Sequence, residues 1–262
     1  MDASRPTPPN NEYAGAPNRT LETVVSYPTR RGRPMRRCPL VVFATGFGGT
    51  ATSYAPLYDH WVRAGYVVAA PTFPLSCADA PGGTSAVDML SQPGDLRFVL
   101  DHVLTESDRR ESPLRGLVDP GRVGLAGKSM GGITALLVGF DPDQREPRVR
   151  AVLAMTGLAM DTVRFDRFDT PLLLVHGDKD EVLSITASIE AYAAASPPKH
   201  FVTLLDQLHV EAFDGGDEPA ARVVNTTTVD FLDAYVRGRR RAVGRLARDG
   251  DVPGVATIQS ET

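Results

Sequence analysis

Long apolar runs are missing from this chain. None of its stretches approaches the roughly 20 residues needed to cross a bilayer, so no membrane span is expected. An excess of positive charge is missing too. Lys and Arg number 28 against 32 Asp and Glu, a formal net charge of -4, which argues against nucleic acid or an anionic membrane as partner. The five histidines and two cysteines fall in no cluster with zinc-ligand spacing, and neither a metal nor an organic cofactor is expected.

Cysteine is scarce. Cys38 precedes an apolar run read as a strand (40–45), and Cys77 lies beyond another (66–71). If those strands are parallel neighbours, the two thiols sit at opposite ends of the sheet. A strand covers roughly 17–20 Å, and a disulfide needs Cα atoms within about 7 Å. Two free thiols are expected, which favours a reducing compartment. Residues 1–18 are rich in Pro and Asn and hold no signal-peptide apolar segment. A cytoplasmic setting is favoured, with a trimmed secreted form as the alternative.

What is present is a 262-residue chain with 42% hydrophobic and 23% charged residues, an ordinary balance for a folded protein. Apolar runs at 40–45 (LVVFAT), 66–71 (YVVAAP), 122–126 (RVGLA), 149–155 (VRAVLAM), 171–176 (PLLLVH) and 199–205 (KHFVTLL) suit parallel strands covered on both faces. The alternating run 22–27 (ETVVSY) suits an edge strand. Leu96, Val99, Leu100, Val103 and Leu104 trace one helical face, starting near Gly94 and Asp95. Val224, Thr228, Phe231, Leu232 and Tyr235 trace another.

Strands alternating with helices predict an α/β fold, a mostly parallel twisted sheet with helices on both faces and no large lid domain. Loops at 73–93, 158–170 and 207–219 follow strands and should lie over the carboxyl edge, where such sheets bind ligands. The expected organisation is a disordered leader (1–20), one domain (21–240) and a flexible tail (241–262). The basic run 237–241 (RGRRR) is read as a solvated cap on the last helix, or else as a small patch for an anionic partner.

Gly127-Lys128-Ser129-Met130-Gly131 matches G-x-S-x-G, between a predicted strand and the helical run 132–140 (GITALLVGF). That is the strand–turn–helix setting in which the motif exposes a nucleophilic serine. A phosphate-binding P-loop is excluded, because its first Gly would fall on Arg122.

A serine hydroxyl needs a base, and the base an orienting carboxylate. In this arrangement the chain order is Ser, acid, His. His60 and His102 precede Ser129, on predicted helices. His176 ends a strand, and His200 lies within one. His209 alone follows the last strand in a loop. The acid is Asp178 or Asp180, both in HGDKDEV, with Asp206 a third candidate.

The segments GKSMGG, HGDKDEV and QLHVEAF resemble the α/β-hydrolase superfamily over about residues 40–236. PLVVFATGFGGTATSYAPL and the 73–103 region are similar to bacterial chlorophyllase-, lipase- and cutinase-like serine esterases. The resemblance implies a catalytic set of Ser129, Asp180 (the second Asp of HGDxDxV) and His209. It implies oxyanion donors at the backbone N–H groups of Phe47 and Met130, and a small-molecule ester as substrate. Thr45 and Lys128 stand where such relatives often carry His. Polyester-degrading relatives tend to carry Trp after the strand matching 149–155, where this chain has Thr156-Gly157. Tyr54, Phe73 and Thr156 are candidates for the pocket wall. The function expected is hydrolysis of short to medium acyl esters. An acyltransferase, or a non-catalytic ligand-binding homologue, is the alternative.

Overall fold

The computed structural model describes Met1–Thr262. Its central sheet has eight strands: β1 (Thr23–Ser26), β4 (Cys38–Ala44), β5 (Val67–Pro71), β6 (Val118–Lys128), β7 (Val149–Met155), β8 (Leu172–Gly177), β9 (Lys199–Leu204) and β10 (Ala256–Glu261), in the order β1-β5-β4-β6-β7-β8-β9-β10. A two-stranded hairpin, β2 (Thr29–Arg30) and β3 (Arg33–Pro34), stands apart. The six inner strands are parallel, and β1 and β10 close the edges antiparallel.

Alternation along β4 shows why the sheet is covered twice. Leu40, Val42 and Ala44 enter one apolar cluster, with Val99 and Leu100 of α2 (Gln92–Asp108) and Leu136 of α3 (Met130–Phe140). Val41 and Phe43 enter the other, with Leu57 and Trp61 of α1 (Ala55–Arg63) and Phe231 and Leu232 of α5 (Pro219–Tyr235). Successive side chains of a strand point to opposite faces, so a run apolar at every position needs helices on both. Helix α4 (Thr186–Ala194) joins the first layer through Ala191, and α6 (Arg241–Asp249) the second through Leu246. The indole N–H of Trp61 donates to Thr228 Oγ1 at 3.0 Å. No helix is long and apolar enough to cross a membrane.

All six expected inner strands form, and the sheet is the mostly parallel α/β-hydrolase sheet. The loops over its carboxyl edge carry only short 3-10 turns, at Ala86–Leu90, Phe165–Arg167 and Glu211–Phe213. Cys38 and Cys77 are both free and buried.

Three expectations are corrected. The leader is not disordered. It pairs with itself at Asp2–Arg19 and Thr7–Ala16, and fully buried Arg19 donates to Asp95 Oδ1 and Oδ2 (2.7 and 2.6 Å) and to Asp88 Oδ1 (2.8 Å). Asp95, read as a helix start, is therefore an ion-pair partner inside α2. The tail is not flexible either. It forms α6 and then β10, which pairs with β9 from Ala256↔Leu204 to Glu261↔Lys199 and satisfies a strand edge that would otherwise lack backbone partners. The basic run is also more than a solvated cap. Arg237 and Arg239 pair with Asp233, and the Arg237 guanidinium lies 4.1 Å from the centre of the Tyr66 ring.

Candidate active site

Five strand ends deliver the candidate residues to one edge of the sheet. Strand β4 leads into Thr45–Gly49, β6 into Ser129, β7 into Thr156, β8 into Asp178 and Asp180, and β9 into His209.

Ser129 joins β6 to α3 at φ 57°, ψ -123°, a region that a residue with a side chain rarely enters and that is held only by its surroundings. Its N–H is fixed by Met155 O at 2.9 Å. The glycines either side allow the close packing this turn requires. A Cβ on Gly127 would run into the Gly131 carbonyl, and one on Gly131 into the Ala44 carbonyl. The serine hydroxyl is thus lifted off the strand end at the start of α3.

Ser129 Oγ lies 2.8 Å from His209 Nε2, and His209 Nδ1 lies 2.6 Å from Asp180 Oδ2. The carboxylate can only accept, so Nδ1 carries the proton and Nε2 is free to accept from the serine hydroxyl. The other Asp180 oxygen accepts from the N–H groups of Val182 and Leu183 at 2.8 and 2.9 Å. Burial works against the Asp180 charge, but the hydrogen bonds from His209, Leu183 and Val182 outweigh it and hold the carboxyl below its usual range. Asp178 does not join this line, and its Oδ1 is buried without a partner. Asp206 is exposed in a turn at φ 55°. The alternatives left open by the residues alone are thereby separated by geometry.

Phe47 and Met130 flank the serine, and neither backbone N–H donates a hydrogen bond to the rest of the chain. Two unpaired donors beside a serine hydroxyl can receive an oxygen that gains negative charge. The Met130 side chain is held underneath, its sulfur 3.5 Å from Gln92 Nε2.

These groups open into a cleft of about 450 Å³ lined by Phe47, Tyr54, Lys128, Ser129, Val182, His209 and Val210 among others. Phe47, Val182 and Val210 are exposed and give it an apolar rim. Of the three residues proposed for the pocket wall, Tyr54 lines this cleft. Phe73 and Thr156 do not. Phe73 is fully buried in the core cluster that contains Leu96 and Val99. Thr156 is fully buried at φ 44°, its N–H turned to Val175 O. Both follow strands toward the correct edge, but their side chains turn away from the cleft.

Two contributors were not apparent in the sequence. Lys128 is buried, lines the cleft and finds no partner. Its burial pulls the ammonium down to about 8 against the attraction of Asp180. His176, read as a packing residue, also touches the acid. Its Nε2 is 3.1 Å from Asp180 Oδ2. Only the first could have drawn notice beforehand, as a departure from the family pattern. The remaining histidines lie elsewhere. His60 approaches Gly215 O, His102 stacks on Phe98, and His200 joins β9 to β10 and α5. No group of three or more His, Cys, Asp or Glu side chains is arranged to hold a metal ion.

The chain is similar to known ester hydrolases. Residues 23–242 match the family model described as PET hydrolase-like. A Bacillus subtilis (strain 168) protein, YitV, named as a proposed esterase, is 23% identical over 247 aligned positions, covering 77% of this chain and 91% of the relative. The family match spans most of the chain and every element that carries the site, so the protein belongs to the PET hydrolase-like family of α/β-hydrolase fold ester hydrolases.

Proposed function

We propose that the protein hydrolyses small carboxylic esters through a covalent acyl-enzyme intermediate on Ser129. The observation that carries this reading is the unbroken hydrogen-bonded line from Ser129 Oγ to His209 to Asp180, at 2.8 and 2.6 Å.

In the first step His209 Nε2 takes the hydroxyl proton as Ser129 Oγ bonds to the ester carbonyl carbon. The carbonyl oxygen becomes an oxyanion held by the Phe47 and Met130 N–H groups, each such donor being worth about 3 kcal/mol. Asp180 keeps Nδ1–H in place and stabilises the imidazolium. Collapse breaks the bond to the leaving oxygen, which receives the proton from His209 and departs as the alcohol. Water then repeats the cycle. His209 takes its proton, the acyl carbon transfers to the water oxygen, and Ser129 regains its hydrogen.

Short to medium acyl chains are proposed because the loops over this edge carry no helix longer than a short 3-10 turn that could form a lid. The absence of an aromatic residue at Thr156-Gly157 favours small esters over a polymer surface. A fluorophosphonate probe should label the wild-type protein and not Ser129→Ala, whose kcat should fall by about 10⁴-fold or more. Folded protein that does not react would overturn the reading. Rates on p-nitrophenyl esters should decline from short to palmitoyl chains, and a rise toward palmitoyl would reject the chain-length proposal.

A further inference from the structure

Three basic side chains are buried in this protein: Arg19, Lys128 and Lys199. Two are paired. Arg19 binds Asp88 and Asp95, and Lys199 donates to Tyr192 O at 3.0 Å and lies 3.3 Å from Glu261. Lys128 is only 4% exposed, and its ammonium has neither a hydrogen bond nor an ion pair. A charge on a side chain this buried is poorly solvated, and at a cleft wall it can be satisfied by something that enters the cleft.

No carboxylate of the protein pairs with Lys128. Asp180 is the carboxylate whose charge Lys128 feels, but its oxygens are taken by His209, His176 and the N–H groups of Val182 and Leu183. Asp214, also on the cleft wall, accepts from its own turn at Gly216 N–H. The remaining titratable wall groups, His209 and Tyr54, carry no negative charge at neutral pH. Lys128 lines the same cleft as Ser129, so one substrate can present a group to it while its ester carbonyl meets Ser129.

We propose that Lys128 recognises a carboxylate on the substrate, and that the preferred class is acidic esters: monoesters of short dicarboxylic acids. The inference rests on Ser129 being the nucleophile. Partial desolvation strengthens such a pair relative to one in open water, while the apolar rim formed by Phe47, Val182 and Val210 accommodates the carbon chain between the two polar ends.

The test measures kcat and KM by pH-stat for monoethyl succinate, glutarate and adipate, each against an uncharged keto ester of the same length (ethyl 5-oxohexanoate for the glutarate). Wild-type protein should prefer at least one charged ester by about tenfold or more in kcat/KM, mostly through KM, the size expected of a charge-assisted hydrogen bond. Lys128→Met should abolish that ratio, and Lys128→Arg should restore part of it. Fluorophosphonate labelling of Ser129 reports whether each variant is folded and reactive. Hydrolysis of both series without a charged preference would overturn the inference and leave the ester-hydrolase reading standing. An equal loss on both series in Lys128→Met would overturn it too, because Lys128 would then act on Ser129 or His209. No hydrolysis of any ester and no labelling of the wild type would remove the mechanism and the inference together.

Discussion

His176 Nε2 lies 3.1 Å from Asp180 Oδ2, the same oxygen that His209 Nδ1 approaches at 2.6 Å. The proton on His176 can be placed from its neighbours. Leu183 O, 2.8 Å from Nε2, can only accept, so Nε2–H is the donor, and Nδ1 accepts from the Ser188 hydroxyl at 2.7 Å. Burial lowers the His176 pKa despite the nearby carboxylate, which keeps the ring neutral. A single imidazole thus ties α4 to the loop that carries Asp180 and packs against the carboxylate that His209 engages.

Replacing His176 should therefore disturb turnover more than binding. In His176→Phe the Leu183 carbonyl and Ser188 hydroxyl lose a buried partner, and the loop that carries Asp180 loses its tie to α4. Small displacements of a catalytic line can cost up to about 100-fold. The expected result is a 10- to 100-fold fall in kcat with KM nearly unchanged, and a matching fall in the rate of fluorophosphonate labelling. Activity equal to the wild type would show that Val182, Leu183 and His209 position Asp180 without help.

The leader yields a prediction about stability. Arg19 is held as a fork by two carboxylates, each with a fully buried side chain. Removing one partner of a buried ionic group leaves the others uncompensated and costs about 3–5 kcal/mol. Arg19→Met should lose that much in urea unfolding at neutral pH. The deficit should shrink in acid, because Asp95 can then take up a proton. Burial already pushes the Asp95 carboxyl upward against the pull of Arg19, so it should protonate readily once the arginine is gone. A change within a few tenths of a kcal/mol would mean that water replaces the guanidinium.

These features divide what the sequence discloses from what it conceals. Inner strands are legible because a strand covered on both faces must be apolar where it is covered, as 40–44 and 151–155 are. The Ser–Asp–His order is legible because the fold delivers those residues from successive strand ends. The leader is not, since its order comes from Arg19 reaching residues 69 and 76 positions away. Strand β10 is hidden for a similar reason. Its Thr257, Gln259, Ser260 and Glu261 are exposed, and backbone pairing with β9 holds it. Side-chain direction is the third gap. Phe73 and Lys128 both stand at strand ends on the correct edge, yet one turns into the core and the other into the cleft.

The last strand also carries a pH-dependent load. His200 of β9 lies 2.8 Å from Ser260 Oγ on β10 and 2.8 Å from the Tyr235 hydroxyl on α5. Burial pulls its pKa from 6.5 down to about 4, so the folded protein keeps it neutral where the unfolded chain protonates it. Unfolding then takes up a proton, and stability rises with pH across that window. His200 should contribute its full share above about pH 6.5 and lose it progressively as pH falls toward about 4, a swing of about 3 kcal/mol. In His200→Gln, which keeps a donor and an acceptor but does not titrate, the plot of unfolding free energy against pH should be flatter between these limits. The slope should differ by up to about 1.4 kcal/mol per pH unit. His176 acts in the same sense but is present in both proteins, and Asp180, held below its usual range, contributes at lower pH. The difference between the two curves therefore isolates His200. Parallel curves would show that His200 accepts a proton in the folded state as easily as in the unfolded chain.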